Sequence, residues 1–164
     1  MKSHLTAPNR TKLSQSMLYL IRARYLSKST THLDYGCGHG FEFQRLRSLG
    51  YRSNGYDPYY FPDTPREPAD IVTLLHVINV IPSLQERSQV IQDAFSLCKK
   101  ILVIAARSPQ PLRGADHLDG KITRYGTFNK NYSDLELRIF CARSLGIETA
   151  EFRRIGQKSI ILHR

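Results

Sequence analysis

The stretch densest in chemically capable residues is THLDYGCGHGFEFQRL, residues 31–46. Three glycines, a cysteine and a histidine fall within the five positions 36–40, between an apolar run and an amphipathic one. Such residues serve a dinucleotide loop, a metal site, a reactive thiol or a cradle for some other cofactor. A dinucleotide loop wants G-x-G-x-x-G, with its third glycine at position 41, and that position is Phe41. Cys37 and His39 are two metal-capable residues in the cradle, and two do not make a site without further ligands, so no metal site is expected. At a helix N-terminus, Cys37 is expected to be somewhat acidic and easily oxidised, a liability more than a mechanism. What remains is a turn at Gly36, Gly38 and Gly40 that brings backbone N–H groups and a helix N-terminus up to a ligand.

Two acids narrow the ligand. A carboxylate at Asp34, beside the loop, repels a pyrophosphate and suits a ligand that carries a positive charge or an amino group. Asp57 ends the expected second strand, 23 residues further on, where a carboxylate can accept both ribose hydroxyls of a nucleoside cofactor. The D-x-G-x-G-x-G run resembles the first motif of class I S-adenosylmethionine (SAM)-dependent methyltransferases. There the acid sits near the methionine amino end of a sulfonium cofactor that has no phosphate. The resemblance implies SAM as cofactor and S-adenosylhomocysteine as product. The residues expected to hold it are Asp34, Tyr35, Gly36, Cys37, Gly38, Gly40, Asp57, Pro58, Tyr59 and Asn79. The plain alternative is a structural glycine turn with a helix-capping Asp.

The elements that must position these residues alternate along the chain. A helix is expected near 12–26, a strand at 32–35, a helix at 41–49 stopped by Gly50, and a short strand ending at Asp57. The Pro-rich DPYYFPDTPREPAD cannot be helix interior or central strand. IVTLLHVINVI reads as one strand buried on both faces, as a parallel sheet requires. Ser83 and Glu86 form a capping box for a helix to about Cys98, with Val90, Ile91, Ala94 and Phe95 inward. ILVIAA is a further strand at 101–106, and residues 107–132 are expected to form an unpatterned lid or substrate loop. Ser133 and Glu136 open a last helix that ends before Gly146, and the tail reads as strands at 147–154 and 158–163. Strands alternating with helices predict one α/β domain over 1–164 with a mostly parallel, three-layer, Rossmann-like sheet. Only 13 residues separate Asp57 from Asp70, too few for a helix plus a third strand. The sheet is therefore expected to be shortened at that edge, with Asp63 substituting for its acidic adenine contact and Tyr59, Tyr60 or Phe61 stacking on the adenine.

The net charge of +10 sits at the two ends of the chain. Residues 1–33 hold six Lys/Arg and no acid, 34–106 hold seven against eight, and 107–164 hold eleven against six. That pattern favours a polyanion approaching one side of a neutral cofactor core. The basic, acid-free residues 1–30 also fit a transit peptide, but Leu13, Met17, Leu20, Ile21 and Tyr25 recur at helical spacing and favour a structural N-terminal helix. Three widely spaced cysteines imply a reducing, cytoplasmic setting, and no apolar run is long enough to span a bilayer.

Block by block, LDYGCGHG, LRSLGYRSNGYDPYYFPD, ADIVTLLHVINVI, ILVIAA and DGKITRYGTFNKNYSDLEL resemble the methyltransferase-like domain of the bacterial DNA phosphorothioation-associated methyltransferase family. The resemblance covers about residues 10–163. It implies a nucleic-acid setting, DNA above all, with other proteins of a modification system as partners. Members of that family are expected to be longer, with a C-terminal region beyond this sheet, and to carry Tyr where this chain has His76.

No [D/N/S]-P-P-[Y/F] tetrapeptide of DNA amino-methyltransferases and no Pro-Cys nucleophile follows the HVINVI strand. Asn79 and His76 are the candidates there: Asn79 to hold the acceptor or the cofactor's methionine end, His76 as base or orienting group, or else as a satisfied core histidine. In the lid, basic and aromatic residues interleave at Arg124, Phe128, Lys130 and Tyr132, which suits phosphate contact with base stacking. Equally, the aromatics there could pack the lid down. The sequence thus favours a SAM-dependent methyltransferase acting on DNA or a nucleic-acid-associated substrate. A catalytically inactive SAM-binding or DNA-contacting regulatory module is the second reading, and a small-molecule methyltransferase the third.

Overall fold

The computed structural model describes residues 3–156 and 159–164. Its main sheet has six strands in the order β2-β1-β3-β4-β9-β8. β1 (Thr31–Tyr35), β2 (Arg52–Tyr56), β3 (Ala69–Leu75) and β4 (Cys98–Ala105) run parallel. β9 (Ser159–His163) is antiparallel to β4 and to β8 (Phe152–Ile155). No strand lies outside β2 among the described residues, in keeping with the 13-residue spacing from Asp57 to Asp70.

Helices cover both faces. α1 (Gln15–Arg22) and α2 (Phe41–Ser48) pack Met17, Leu20 and Leu46 against Ile71, Val103 and Ile161. On the other face, α3 (Leu84–Ser96) and α4 (Asp134–Leu145) pack Ile91, Ala94, Leu137 and Cys141 against Leu33, Val72, Leu102 and Ile104. The serine half of each expected capping box is present, with Ser83 accepting from Glu86 N–H and Ser133 from Glu136 N–H. No helix of the described residues is long and apolar enough to cross a membrane.

Four segments depart most from the sequence reading, each for a local reason. The first helix is shorter than 12–26, because Ser14 caps it by accepting from Met17 N–H and Arg24 turns the chain with φ +60°. The run IVTLLHVINVI is not one strand. Its ladder ends at Leu75, His76 takes φ +63° while its N–H still bonds Ala105 C=O at 2.7 Å, and Ile78–Val80 form a 3-10 turn. The tail likewise begins with a 3-10 turn at Thr149–Glu151, capped reciprocally by Glu148 and Glu151, so β8 starts only at Phe152. The lid is folded too. β5 (Ala115–His117), β6 (Gly120–Ile122) and β7 (Phe128–Asn129) form a small antiparallel sheet. Strands of two or three residues carry too little alternation to show as a period.

Candidate functional site

The strand order reverses at β1, whose neighbours are β2 and β3, and there a cavity of about 710 Å³ opens at the C-terminal ends of all three. Open parallel sheets place ligands at such a switch point. The floor is the glycine loop after β1, one wall is Asp57–Tyr60 after β2, and the opposite wall is His76–Ile81 after β3. The fourth side is the N-terminal segment, where Ser3, His4, Thr6, Ala7, Pro8 and Arg10 line the cavity.

The loop holds its shape through its own amides. Gly36 and Cys37 N–H both donate to Tyr56 C=O, at 2.7 and 3.0 Å, and Gly40 N–H donates to Cys37 C=O. Gly38 N–H donates to Asp57 Oδ2 at 2.9 Å. The expected presentation of these N–H groups to a ligand is therefore corrected: the loop permits close approach, but four of its amides are engaged within the protein. A phosphate cradle depends on such donors. Glycine is required at Gly36, where φ is +79° and a Cβ would lie 2.4 Å from Val77 Cγ2.

Asp34 is buried, and its Oδ1 accepts from Thr73 Oγ1 at 2.9 Å. Burial first, and then the charge of Glu42, push its carboxyl up to about 7. Asp57 carries a structural duty that its sequence position did not reveal. While Oδ2 takes Gly38 N–H, Oδ1 accepts from Tyr59 N–H at 2.9 Å and Tyr60 N–H at 3.1 Å. Cys37 lines the cavity, but burial and the nearby Asp34 and Asp57 charges raise its thiol pKa, so the expected acidic cysteine is overturned.

Of the residues expected to hold a cofactor, Asp34, Tyr35, Gly36, Cys37 and Gly38 line the cavity, as do Asp57, Pro58, Tyr59 and Asn79. Gly40 does not. It caps α2 with φ +81°, against the rings of Phe43 and Phe61. Tyr59 gives one ring face to His4, stacked at 3.9 Å with planes 8° apart. Asp63 is exposed and outside the cavity. His76 and Asn79 both line it, and Asn79 is buried with Oδ1 lacking a hydrogen-bond partner.

Of the two readings of the lid, its aromatics follow the packing one. Phe128 is fully buried, and Tyr132 is buried with its hydroxyl accepting from Arg87 Nη1 at 3.0 Å. Lys130 Nζ pairs with Glu136 at 2.6 Å and lies 3.6 Å from Asp119. These three are buried or paired within the protein. Arg124 alone of the four is exposed, hydrogen-bonded to Tyr125. The anchor is Arg87, fully buried on α3, with both guanidinium Nη groups on Asp119 at 2.7 and 2.8 Å and further bonds to Ile81 and Pro82 C=O.

Sequence reasoning missed Glu42 altogether. Buried on the first turn of α2, it lines the cavity; Oε1 accepts from Ser14 N–H at 2.9 Å and lies 3.9 Å from Arg10 Nε, while Oε2 has no partner. An acid in a helix's first turn is ordinary dipole complementation, so the letter alone carried no signal.

No family model matches this chain, and no curated protein is detectably similar to it in sequence. Solved structures do match. A SAM-dependent methyltransferase from Methanosarcina mazei aligns with a TM-score of 0.64 at 18% identity, covering 89% of this chain and 97% of that one. The fold is that of the class I SAM-dependent methyltransferases. The 1,6-didemethyltoxoflavin-N1-methyltransferase of Burkholderia thailandensis, with bound S-adenosylhomocysteine, aligns at 0.62 and 10% identity over 99% of this chain and 77% of its own. Magnesium protoporphyrin IX methyltransferase from Synechocystis PCC 6803, also with bound S-adenosylhomocysteine, aligns at 0.57 and 17% identity over 90% and 78%. At these identities the likeness is one of fold.

Proposed function

We propose that this chain is a SAM-dependent methyltransferase that holds its cofactor in the cavity beside the glycine loop. The observation that carries the reading is the convergence of Asp34, Glu42 and Asp57 on one cavity whose loop amides are engaged internally. Such a lining repels phosphate and suits a nucleoside with a cationic end. The orphan acceptors Glu42 Oε2 and Asn79 Oδ1 call for donors, which an ammonium group supplies. The cavity's size also falls within the roughly 300–1,000 Å³ of small-molecule sites.

SAM supplies a methyl group on a positively charged sulfur, and positioning of the acceptor contributes much of the acceleration. In this reading Asp34 and Glu42 take the amino-acid end, and Asp57 keeps one accepting site, on Oδ2, for a ribose hydroxyl while it braces the loop. Asn79 and His76, at the end of β3, orient the acceptor.

For the acceptor we favour nucleic acid, DNA foremost, in a sulfur-modification or defence setting. The support is the net charge of +10 and its place at the two ends of the chain. Contact is assigned to exposed Arg124 and to Arg107, Gln110 and Asn129, the lid residues that reach the cavity. The test is transfer of labelled methyl from SAM to plain and phosphorothioated DNA, with DNA affinity followed against salt. We expect labelled DNA and an affinity that falls steeply as salt rises. SAM binding without transfer to either DNA would favour the regulatory-module reading.

A further inference from the structure

A row of polar side chains crosses the sheet beneath α1 and α2, on a face otherwise filled by Met17, Leu20, Leu46 and Ile71. Strand register places it: His32 pairs with Ser53 across β1 and β2, and Asp34 pairs with Thr73 across β1 and β3. His32 Nδ1 lies 2.7 Å from Ser53 Oγ, and its Nε2 lies 3.0 Å from Thr73 Oγ1. Thr73 Oγ1 in turn donates to Asp34 Oδ1 at 2.9 Å. All four side chains are buried, and nothing in the reading above uses His32.

The donor sense of this chain follows from Asp34. An ionised carboxylate only accepts, so the Thr73 hydroxyl hydrogen points to it. Thr73 Oγ1 must then accept from His32, which places the ring hydrogen on Nε2. Nδ1 is left bare to accept from Ser53 O–H. While Asp34 is ionised, every hydrogen in the row therefore points toward the cavity. Burial keeps the ring neutral, with its pKa lowered to about 3. A neutral ring with that tautomer gives the row one direction, and hydrogen bonds in series polarise one another.

We propose that His32 is a positioning residue for Asp34: acting through Thr73, it orients the hydroxyl that stabilises the Asp34 anion and so sets the pH range in which the cavity carries that charge. The other groups facing Asp34 do not do this. Glu42 on α2 and Asp57 after β2 oppose its ionisation, the Cys37 thiol beside it is neutral, and Arg10 of the N-terminal segment favours it from a partly exposed position. The role of that charge in holding a cationic cofactor rests on the function proposed above, whereas the row itself does not.

The test is a carboxyl carbon-13 titration of Asp34 by NMR in the ligand-free protein. Thr73→Val is expected to raise the midpoint by about one pH unit, the effect of losing one charge-assisted hydrogen bond. His32→Leu is expected to raise it by less, and Ser53→Ala by least. Thr73→Ser and His32→Gln, which keep a hydroxyl and a donor to it, should restore most of the shift. A purely structural His32 would lower the melting temperature and leave the Asp34 midpoint where it is, and that result overturns the proposal. If His32→Leu fails to fold, Ser53→Ala with the Thr73 pair still decides, since equal midpoints in all three also overturn it. SAM affinity at pH 7 should fall in the same order as the midpoints rise. Loss of all SAM binding in the wild type would instead count against the proposed function, with the titration series unaffected.

Discussion

Asp57 Oδ2 accepts the amide of Gly38 at 2.9 Å, so the acid after the second strand braces the loop after the first. Because Oδ1 also takes Tyr59 and Tyr60 N–H, one carboxylate fixes the floor and one wall of the cavity before any ligand arrives. Asp57→Ala should then destabilise the ligand-free protein by about 1–3 kcal/mol, as expected for amides left without their acceptor. A side chain that only met the cofactor would leave the unliganded melting temperature unchanged. Thermal melts without SAM distinguish the two.

The pH dependence of stability should carry the mark of Asp34. Its carboxyl titrates near 7 when folded, against about 3.9 for an unfolded chain. Between those values the folded protein holds a proton that the unfolded chain has lost. Stability from this group is therefore full below about pH 4 and declines as pH rises to 7. Burial moves Glu42 in the same direction. Asp34→Asn removes the Asp34 contribution, so its melting temperature should rise relative to wild type between pH 5 and pH 8, while SAM binding weakens. An unchanged difference across that range would show that Asp34 does not titrate there.

Glycines should separate by location. Gly36→Ala drives a Cβ into Val77 at a left-handed φ, which is expected to cost about 2 kcal/mol or more and to distort the cavity floor. Gly126 also has a positive φ but nothing within 4 Å, so Gly126→Ala should cost about 1 kcal/mol and leave ligand binding intact. Paired denaturation curves and SAM titrations check both.

The lid's attachment should depend on one ion pair. Asp119→Ala leaves the fully buried Arg87 without its carboxylate, an expected loss of about 1–3 kcal/mol because Asp119 itself is a third exposed and Arg87 keeps its bonds to Ile81 and Pro82 C=O. Limited proteolysis should then cut within residues 107–126 well before the sheet. Equal cleavage of variant and wild type would place the lid's anchor elsewhere.

The alternation of apolar runs and capped helices made the sheet legible, as did the spacing that removes a third strand. The glycine loop and both its acids were legible as well, because turn chemistry and strand ends leave letters at fixed offsets. What the letters hid was tertiary. Arg87 sits at an inward helix position among apolar neighbours, and nothing local says that Asp119 meets it from 32 residues away. For the same reason the sequence left two readings of Phe128 and Tyr132 open, and did not show that Lys130 is paired with Glu136. Glu42 and His32 each look ordinary in sequence. Their burial beside Asp34 comes from the register of β1, β2 and β3 and from the N-terminal segment folding back over α2.

Calorimetric titration of the wild-type chain with SAM, S-adenosylhomocysteine and a phosphate-bearing nucleotide is the most direct measurement. An acid-lined cavity with engaged loop amides predicts saturable one-to-one binding of the first two and weak or no binding of the nucleotide. Absence of binding at millimolar SAM, or tighter binding of the nucleotide, would contradict it.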